Sequence, residues 1–297
     1  MVPVPVIRPV SDKFGDKYPQ VATFNKVDEL VIEKLRKLGV VPSDLASDAE
    51  FFRRVSLDLT GTLPTSSEVE AFLADTSSQK RAAKIDELLN SPAYAAWWTT
   101  KLCDYTGNND RALNNTMPIQ GSTSQLWYDW IYKRLSENAP YDKIVEGIVL
   151  AKSRKDGQTY AQYCEEMSGL YHPNSESKFA DRDSMPFYWA RNNLRQPEER
   201  AIGFAYTFLG IRIQCAQCHK HPFDQWSKDD FDAFKGFFTR VQFSQNGARD
   251  KDTQEQYKEI MAQLEISADK KNGGNDIRRA LPEKLKQGKT VPFGELF

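Results

Sequence analysis

The sequence lacks several features that would assign it to a class at once. It has only 4 cysteines and 3 histidines in 297 residues, which excludes a small scaffold held together by disulfides. No apolar run approaches the about 18 residues that a transmembrane helix needs. The formal net charge is −1, from 40 basic and 41 acidic residues. The whole-chain charge therefore gives no reason to expect binding to nucleic acid or to an anionic membrane.

The first residues also lack a signal peptide. MVPVPVIRPVSDKFGDKYP has no basic stretch followed by a continuous apolar one. Its alternating prolines predict an extended arm over residues 1–24. A Met directly before such a segment is typical of a trimmed chain, so we expect a natural targeting signal to be missing.

The remaining composition is that of a globular protein, with 40% hydrophobic, 12% aromatic and 27% charged residues. Pairs of an N-cap residue and an acidic residue three positions later mark several helix starts. These pairs are Asn25 with Asp28, Ser47 with Glu50, Thr65 with Glu68 and Ser227 with Asp230. The apolar spacing predicts helices near 26–38, 48–60, 66–74, 80–89, 92–105, 123–137, 142–151, 197–209, 228–238 and 254–266.

Two stretches lack a clean helical period. Residues 153–186 contain scattered glycine, proline and charge and are predicted to be a long, mostly irregular excursion. The sequence after NGGN is read as a basic stretch. The chain is therefore predicted to be mainly α, with an arm over 1–24, a helical domain over 25–245 and a polar helical extension over 246–297.

The scarce cysteines and histidines are concentrated in one place. IQCAQCHKHPFDQW, at 213–226, contains two of the cysteines and two of the histidines. Cys215, Cys218 and His219 form a CxxCH pattern, which is typical of covalent c-type haem attachment. Two thiols three positions apart can bond to the two vinyl groups on one porphyrin edge, and the adjoining histidine then reaches the iron. The sequence therefore predicts haem c, with His219 as the metal ligand, in a fold larger than a small cytochrome c.

Three other interpretations of these residues stay open. CxxC is also the pattern of a redox dithiol, although that motif usually lies near a βαβ unit and its neighbours here are predicted helices. Cys215, Cys218, His219 and His221 could jointly bind zinc, although structural zinc sites usually take ligands from two separated pairs. The two thiols could also simply be buried.

Ordered motifs along the chain resemble a known family. They are FFRRVSLDLTGTLP at 51–64, LLNSPAYAAWWTTKLCD at 88–104, NAPYDKIVEGIV at 138–149, FYWARNN at 187–193 and FLGIRIQCAQCHKHPFDQWSKDDFDAFKGFF at 208–238. Together they resemble the planctomycete-type cytochrome domain, a family of unknown function found in large secreted or surface proteins. The resemblance implies an exported protein flanked by further domains, with haem at Cys215, Cys218 and His219.

Other residues are assigned supporting roles. His221 is too close in sequence to His219 to reach the opposite face of a haem, so we expect it to bond a propionate or the neighbouring backbone. Arg212, Lys220 and Trp226 are candidate propionate contacts, with ordinary surface exposure as the alternative.

Two further groups have alternative interpretations. Cys103 and Cys164 could form a disulfide, or Cys103 could be a buried free thiol. The helical spacing of four tryptophans favours a place in the core over a ligand-stacking platform. These are Trp97, Trp98, Trp127 and Trp130.

Electron transfer outside the cytoplasm is the leading function, with an unidentified redox partner. A haem enzyme or small-ligand binder with an open sixth position is an alternative. A structural or interaction module with a Cys/His metal site is another.

We expect His219 to be the only strong protein ligand of the haem iron. His172, Met167 and Met185 are possible sixth ligands, and Tyr188 and Arg191 are candidate distal polar groups.

Overall fold

A computed structural model describes residues 8–113, 116, 123–172, 175, 178–266 and 273–297. Helices dominate the described residues, and the strands there are two residues long. The prediction of a mainly α protein is confirmed. The described chain divides into two compact units. One takes in residues up to Ser56 together with Leu63–Ala82, and the other comprises Leu57–Thr62 and Ala83–Phe297. The predicted division at residues 24 and 245 stays a prediction.

The first unit is built from helices that begin at local caps. It contains α1 (Lys26–Leu38), the first part of α2 (Asp48–Thr60) and α3 (Ser66–Ala74), at the predicted positions. The Asn25 and Thr65 side chains cap α1 and α3. Phe52 and Phe72 form its small core, with ring centroids 4.8 Å apart. The described part of the predicted arm, from residue 8, has a 3₁₀ turn at Gly15–Lys17 and no α-helix, while residues 1–7 lie outside the description.

The second unit contains the remaining helices. These are α4 (Lys80–Leu89), which begins in the first unit, α5 (Pro92–Thr106), α6 (Thr123–Ser136), α7 (Tyr141–Val149), α8 (Tyr160–Gly169), α9 (Phe187–Ala190), α10 (Pro197–Phe204), α11 (Lys228–Gly236), α12 (Lys251–Gln263) and α13 (Gly273–Lys286). Among the described residues, no helix is long and apolar enough to cross a membrane.

The core of the second unit includes two of the four predicted tryptophans. Trp127 and Trp130 on α6 are fully buried, as predicted. The Trp130 indole donates to the Arg182 carbonyl at 2.8 Å, which satisfies its polar atom inside the core. Trp97 and Trp98 on α5 are only half-buried, so the prediction is confirmed for one pair and partly for the other.

The prediction of an irregular excursion over 153–186 is partly wrong, because it contains α8. The Thr159 and Gln162 side chains form a capping box at the start of this helix. Arg182 then fixes the following segment. Its guanidinium contacts the Glu166 carboxylate at 2.5 Å and donates to the Ser153 carbonyl. The described part of the excursion therefore carries an α-helix, and Arg182 near its end is bonded to Ser153 at its start.

The C-terminal segment is not simply a basic stretch. It holds α13 and then a run of buried residues, 291–296. The strand β2 (Glu295–Leu296) pairs antiparallel with β1 (Phe243–Ser244). Tyr160 and Tyr163 of α8 donate to carbonyls of this run, at 2.8 and 2.9 Å. The last residues are therefore part of the second unit's core.

Candidate functional site

The CxxCH segment lies on a short turn between two helices. α10 begins at Pro197 as predicted, but after Phe204 the chain continues as a π-helix over Ala205–Leu209. Gly210 then stops the helix in the left-handed conformation, at φ 65°, as expected. A π-helical turn often marks a functional site, and the sequence analysis did not predict this one.

Cys215 lies in a 3₁₀ turn at Gln214–Gln217, and Cys218 follows directly, with its backbone N–H donating to the Cys215 carbonyl. This hydrogen bond closes the turn that joins the two motif cysteines. Both thiols are free and exposed to solvent. The interpretation as buried thiols is therefore wrong. The turn therefore carries two free thiols three residues apart, both exposed at the surface.

His219 follows directly, and the backbone of the next residue orients its imidazole ring. Its Nδ1 atom lies 2.7 Å from the carbonyl oxygen of Lys220. Because a carbonyl only accepts, this contact assigns the proton of the neutral ring to Nδ1, which leaves the lone pair on Nε2. Histidines that bind metals commonly donate their second ring nitrogen to such a carbonyl, which fixes the tautomer and the ring orientation. The His219 ring is thus prepared to bind a metal through Nε2.

His221 makes its described hydrogen bonds to the backbone of the same loop. Its backbone N–H donates to the Trp226 carbonyl at 2.8 Å, and its Nδ1 accepts from the Phe223 N–H at 3.3 Å. Within the described ranges, no three His, Cys, Asp or Glu residues are grouped as metal ligands. The described geometry thus gives no support to a four-ligand zinc site here.

A small apolar pocket lies behind the turn. It has a volume of about 80 Å³, and Ala216 of the motif forms part of its wall. The remaining wall residues are Ala205, Leu209, Ile211, Ile213, Trp226, Asp230, Phe231 and Phe234. The Trp226 indole N–H is buried and has no hydrogen-bond partner among the described residues. Since buried donors normally have a partner, this N–H is available to a bound acceptor.

Exposed apolar side chains occur close to the motif in the chain. Phe223 is 84% exposed, Tyr206 56% and Leu209 51%. The Arg212 guanidinium lies 5.6 Å from the centre of the Tyr206 ring. Arg212 and Lys220 are exposed, and no ion pair involves them in the described part of the chain. This surface offers apolar contact area and two free cations to a ligand.

The candidate distal groups lie in the main core instead. Tyr188 is fully buried, and Arg191 is 7% exposed. The Arg191 guanidinium lies 4.4 Å from the centre of the Tyr188 ring, and burial lowers its pKa. It packs against Gly107 at the C-terminus of α5, where a cation is favoured by the helix dipole. This packing against the end of α5 is a structural role, and it accounts for the burial of Arg191.

Two of the possible sixth ligands, Met167 and Met185, also lie in the main core, and they are 2% and 0% exposed. The motif residue Ala216 belongs to a smaller cluster, with Ala205, Ile213 and Phe231. The His172 Nε2 atom is buried without a partner among the described residues.

The remaining cysteines do not pair with each other. Cys103 and Cys164 are both buried and free. Burial raises the pKa of the Cys164 thiol to about 12, so it stays protonated at neutral pH. The disulfide is absent, and Cys103 is the buried free thiol that the alternative predicted.

The chain has no match among curated proteins. It also has no match among solved structures. A family model described as PSCyt2, a protein of unknown function (DUF1549), matches residues 26–243. This range includes the helices around the CxxCH turn and the turn itself. The chain therefore belongs to the PSCyt2 (DUF1549) family.

Proposed function

We propose that the chain is a c-type haem protein that works outside the cytoplasm, with haem attached at Cys215 and Cys218. The observation that carries this proposal is a pair of exposed thiols three residues apart, followed by a histidine whose Nε2 has no hydrogen-bond partner among the described residues. The resemblance to a planctomycete-type cytochrome domain supports both the cofactor and the export. A haem at this position would supply a one-electron couple between ferric and ferrous iron.

The residues present fit such a group. Each thiol adds across one vinyl double bond, so that a carbon–sulfur bond forms, the thiol proton goes to the other vinyl carbon, and no oxidant is needed. His219 offers Nε2 to the metal, and the Lys220 carbonyl holds its ring. Arg212, Lys220 and the Trp226 N–H are available to carboxylates.

The apolar surface also suits a porphyrin. The pocket of about 80 Å³ is well below the about 300–1,000 Å³ that is typical of small-molecule sites, so it does not enclose a porphyrin. Most of the macrocycle would therefore lie against exposed side chains, of which Leu209, Tyr206 and Phe223 are candidates. Covering such side chains is favourable at about 25 cal/mol per Å² of apolar surface.

A second candidate is a small-ligand binder or haem enzyme with an open sixth position. The burial of Met167 and Met185 favours it, because either side chain would have to leave the main core to reach a metal at His219. Carbon monoxide added to the reduced protein distinguishes the two functions. An open site binds it and changes the absorption spectrum, whereas a six-coordinate electron carrier resists it.

The primary test is expression with export through a haem-maturation pathway, followed by denaturing mass spectrometry. We expect the mass of one haem to stay with the chain, and the absorption spectrum to change with dithionite. Cys215→Ala combined with Cys218→Ala should abolish this retention, whereas Cys103→Ala, outside the motif, should preserve it. Protein that carries stoichiometric zinc and no porphyrin after such export would overturn the proposal.

A further inference from the structure

A second candidate site lies on α6, in a different part of the second unit. Two cavities adjoin there, with volumes of about 500 and 700 Å³, and they share Tyr132 and Ser136. We call the 500 Å³ cavity the Tyr132 groove. Its polar wall is formed by Asn90, Tyr94, Tyr132, Ser136 and Asn138. Its volume falls in the range of about 300–1,000 Å³ that is typical of small-molecule sites.

The wall of the Tyr132 groove carries hydroxyl and amide groups but no charged side chain. Asn90 donates its amide to the Asp86 carbonyl at 2.8 Å, which leaves its side-chain oxygen as an acceptor. Among the described residues, the hydroxyls of Tyr94, Tyr132 and Ser136 have no hydrogen-bond partner. The groove thus presents several donors and acceptors to an uncharged polar ligand.

Tyr132 adds a rigid aromatic wall. Its ring stacks on that of Tyr128 one turn earlier, with centroids 6.1 Å apart and planes inclined by 14°. Both rings stand on the regular helix α6 (Thr123–Ser136). A ligand that contacts Tyr132 therefore meets a ring whose orientation is already set, which reduces the entropy lost on binding.

Asn138 holds an unusual backbone conformation at the edge of the groove. Its φ is 51°, and only one other described residue that is not glycine, Glu265, has a positive φ. Glycine is the usual residue at this position just after a helix, because it has no Cβ to strain the backbone. Here an asparagine accepts that strain and places an amide group in the wall of the cavity.

The adjoining cavity extends the groove and adds charged side chains to it. Lys133 lines it and pairs with Asp181 at 2.5 Å and Glu137 at 3.8 Å. Acidic side chains outnumber basic ones in this wall, with Asp129, Glu137 and Asp181 against Lys133 and Lys178. A chain-like ligand that runs from one cavity past Tyr132 to the other would meet hydroxyls, amides and this slightly acidic wall.

We propose that the Tyr132 groove and its neighbour bind a neutral carbohydrate chain. Sugars place polarised C–H groups on aromatic faces and offer rings of hydroxyls to amide and hydroxyl partners, and the groove supplies both kinds of contact. The wall of the Tyr132 groove carries no charge, and acidic side chains outnumber basic ones in the adjoining cavity, so the two together do not favour a phosphorylated or sulfated ligand. The site is separate from the CxxCH turn, so this proposal does not depend on haem.

The test is isothermal titration of the full chain with cellohexaose, mannohexaose and xylohexaose, and with hexagalacturonate as a charged comparison. We expect millimolar or tighter binding of at least one neutral hexasaccharide. Tyr132→Ala should weaken it about tenfold or more, because the aromatic wall is lost. Asn138→Gly should weaken it about threefold while keeping the fold, because only the amide is removed and the backbone strain is relieved.

Tyr105→Ala is the matched control, since Tyr105 is also exposed and lies on α5 outside both cavities. It should leave the affinity unchanged. Absence of binding to all three neutral sugars at millimolar concentration would overturn the proposal. Binding that survives both groove substitutions, or that is confined to hexagalacturonate, would also overturn it.

Discussion

The buried carboxylate of Glu295 is expected to fix the C-terminal run in the second unit. Glu295 is 1% exposed, and its two oxygens accept from different donors. One accepts from the Arg154 guanidinium at 2.5 Å, and the other accepts from the Ala248 backbone N–H at 2.9 Å. Breaking a buried ion pair by removing one partner costs about 3–5 kcal/mol.

Glu295→Gln keeps the shape of the side chain but not its two acceptors. The amide has one oxygen, so its NH₂ group must face either the Arg154 guanidinium or the Ala248 N–H. An unsatisfied buried donor costs about 1–3 kcal/mol, and more where it is charged. The Arg154 side chain keeps 26% of its surface exposed, so water compensates part of the loss. We therefore expect a decrease of about 2–3 kcal/mol in the free energy of unfolding.

Urea unfolding followed by tryptophan fluorescence measures this change, because all six tryptophans lie in the second unit. Glu255→Gln on α12 is the control, since the Glu255 carboxylate is 58% exposed and should matter by less than about 0.5 kcal/mol. Arg154→Met should be destabilising alone, and the double substitution should cost less than the sum of the two. A Glu295→Gln effect as small as the control, or strictly additive effects, would refute the reasoning.

Three further substitutions probe other parts of the chain. Asp48→Asn should destabilise α1–α3, because two cations on α4 donate hydrogen bonds to the Asp48 carboxylate and lower its pKa below the ordinary 3.8. Hydrogen exchange measures the effect. The variant should exchange faster than wild type above pH 3.8, and the difference should vanish as the pH falls through the lowered pKa of Asp48. Gly107→Ala should cost about 1–3 kcal/mol in urea unfolding, because φ is 76° and the new Cβ would lie 2.1 Å from an Arg191 nitrogen. Gly157→Ala is the control, because Gly157 has a similar φ of 79° but open space around the new Cβ. It should destabilise the protein less than Gly107→Ala, and equal losses would contradict the clash with Arg191. Trp130→Ala should lower stability by about 3–5 kcal/mol, and an unchanged melting temperature would refute its place in the core.

Local signals predicted much of the fold. The α1, α2 and α3 bounds match because their starts depend on caps within three residues, such as Thr65 with Glu68. The α8 helix was missed although Thr159 and Gln162 form the same kind of box, because glutamine replaces the acid and glycines flank the segment. A search for S/T-x-x-Q as well as S/T-x-x-E would have found it.

Non-local contacts account for what the sequence could not predict. The run VPFGELF is too short and mixed to indicate a strand, and its burial depends on Tyr160 and Tyr163, which lie about 130 residues earlier. Likewise, FYWARNN offers polar groups in a pattern that fits a ligand site. Only packing against Gly107 and the helix end shows that Arg191 belongs to the core. For the candidate site, CxxCH identified the three central residues, but the π-helical turn and the apolar pocket needed coordinates.

The contacts of the CxxCH turn indicate that folding does not depend on the two thiols at which we propose that haem is attached. Ala216 and Ile213 anchor the turn in the small cluster, whereas Cys215 and Cys218 are exposed. Replacing both cysteines by alanine should therefore leave the unfolding transition of the haem-free protein unchanged, because exposed side chains contribute little to stability. Colourless but folded protein from a host without haem maturation is consistent with this reasoning. Haem-free protein in which the double substitution alone collapses the fold would show that the thiols have a structural role instead.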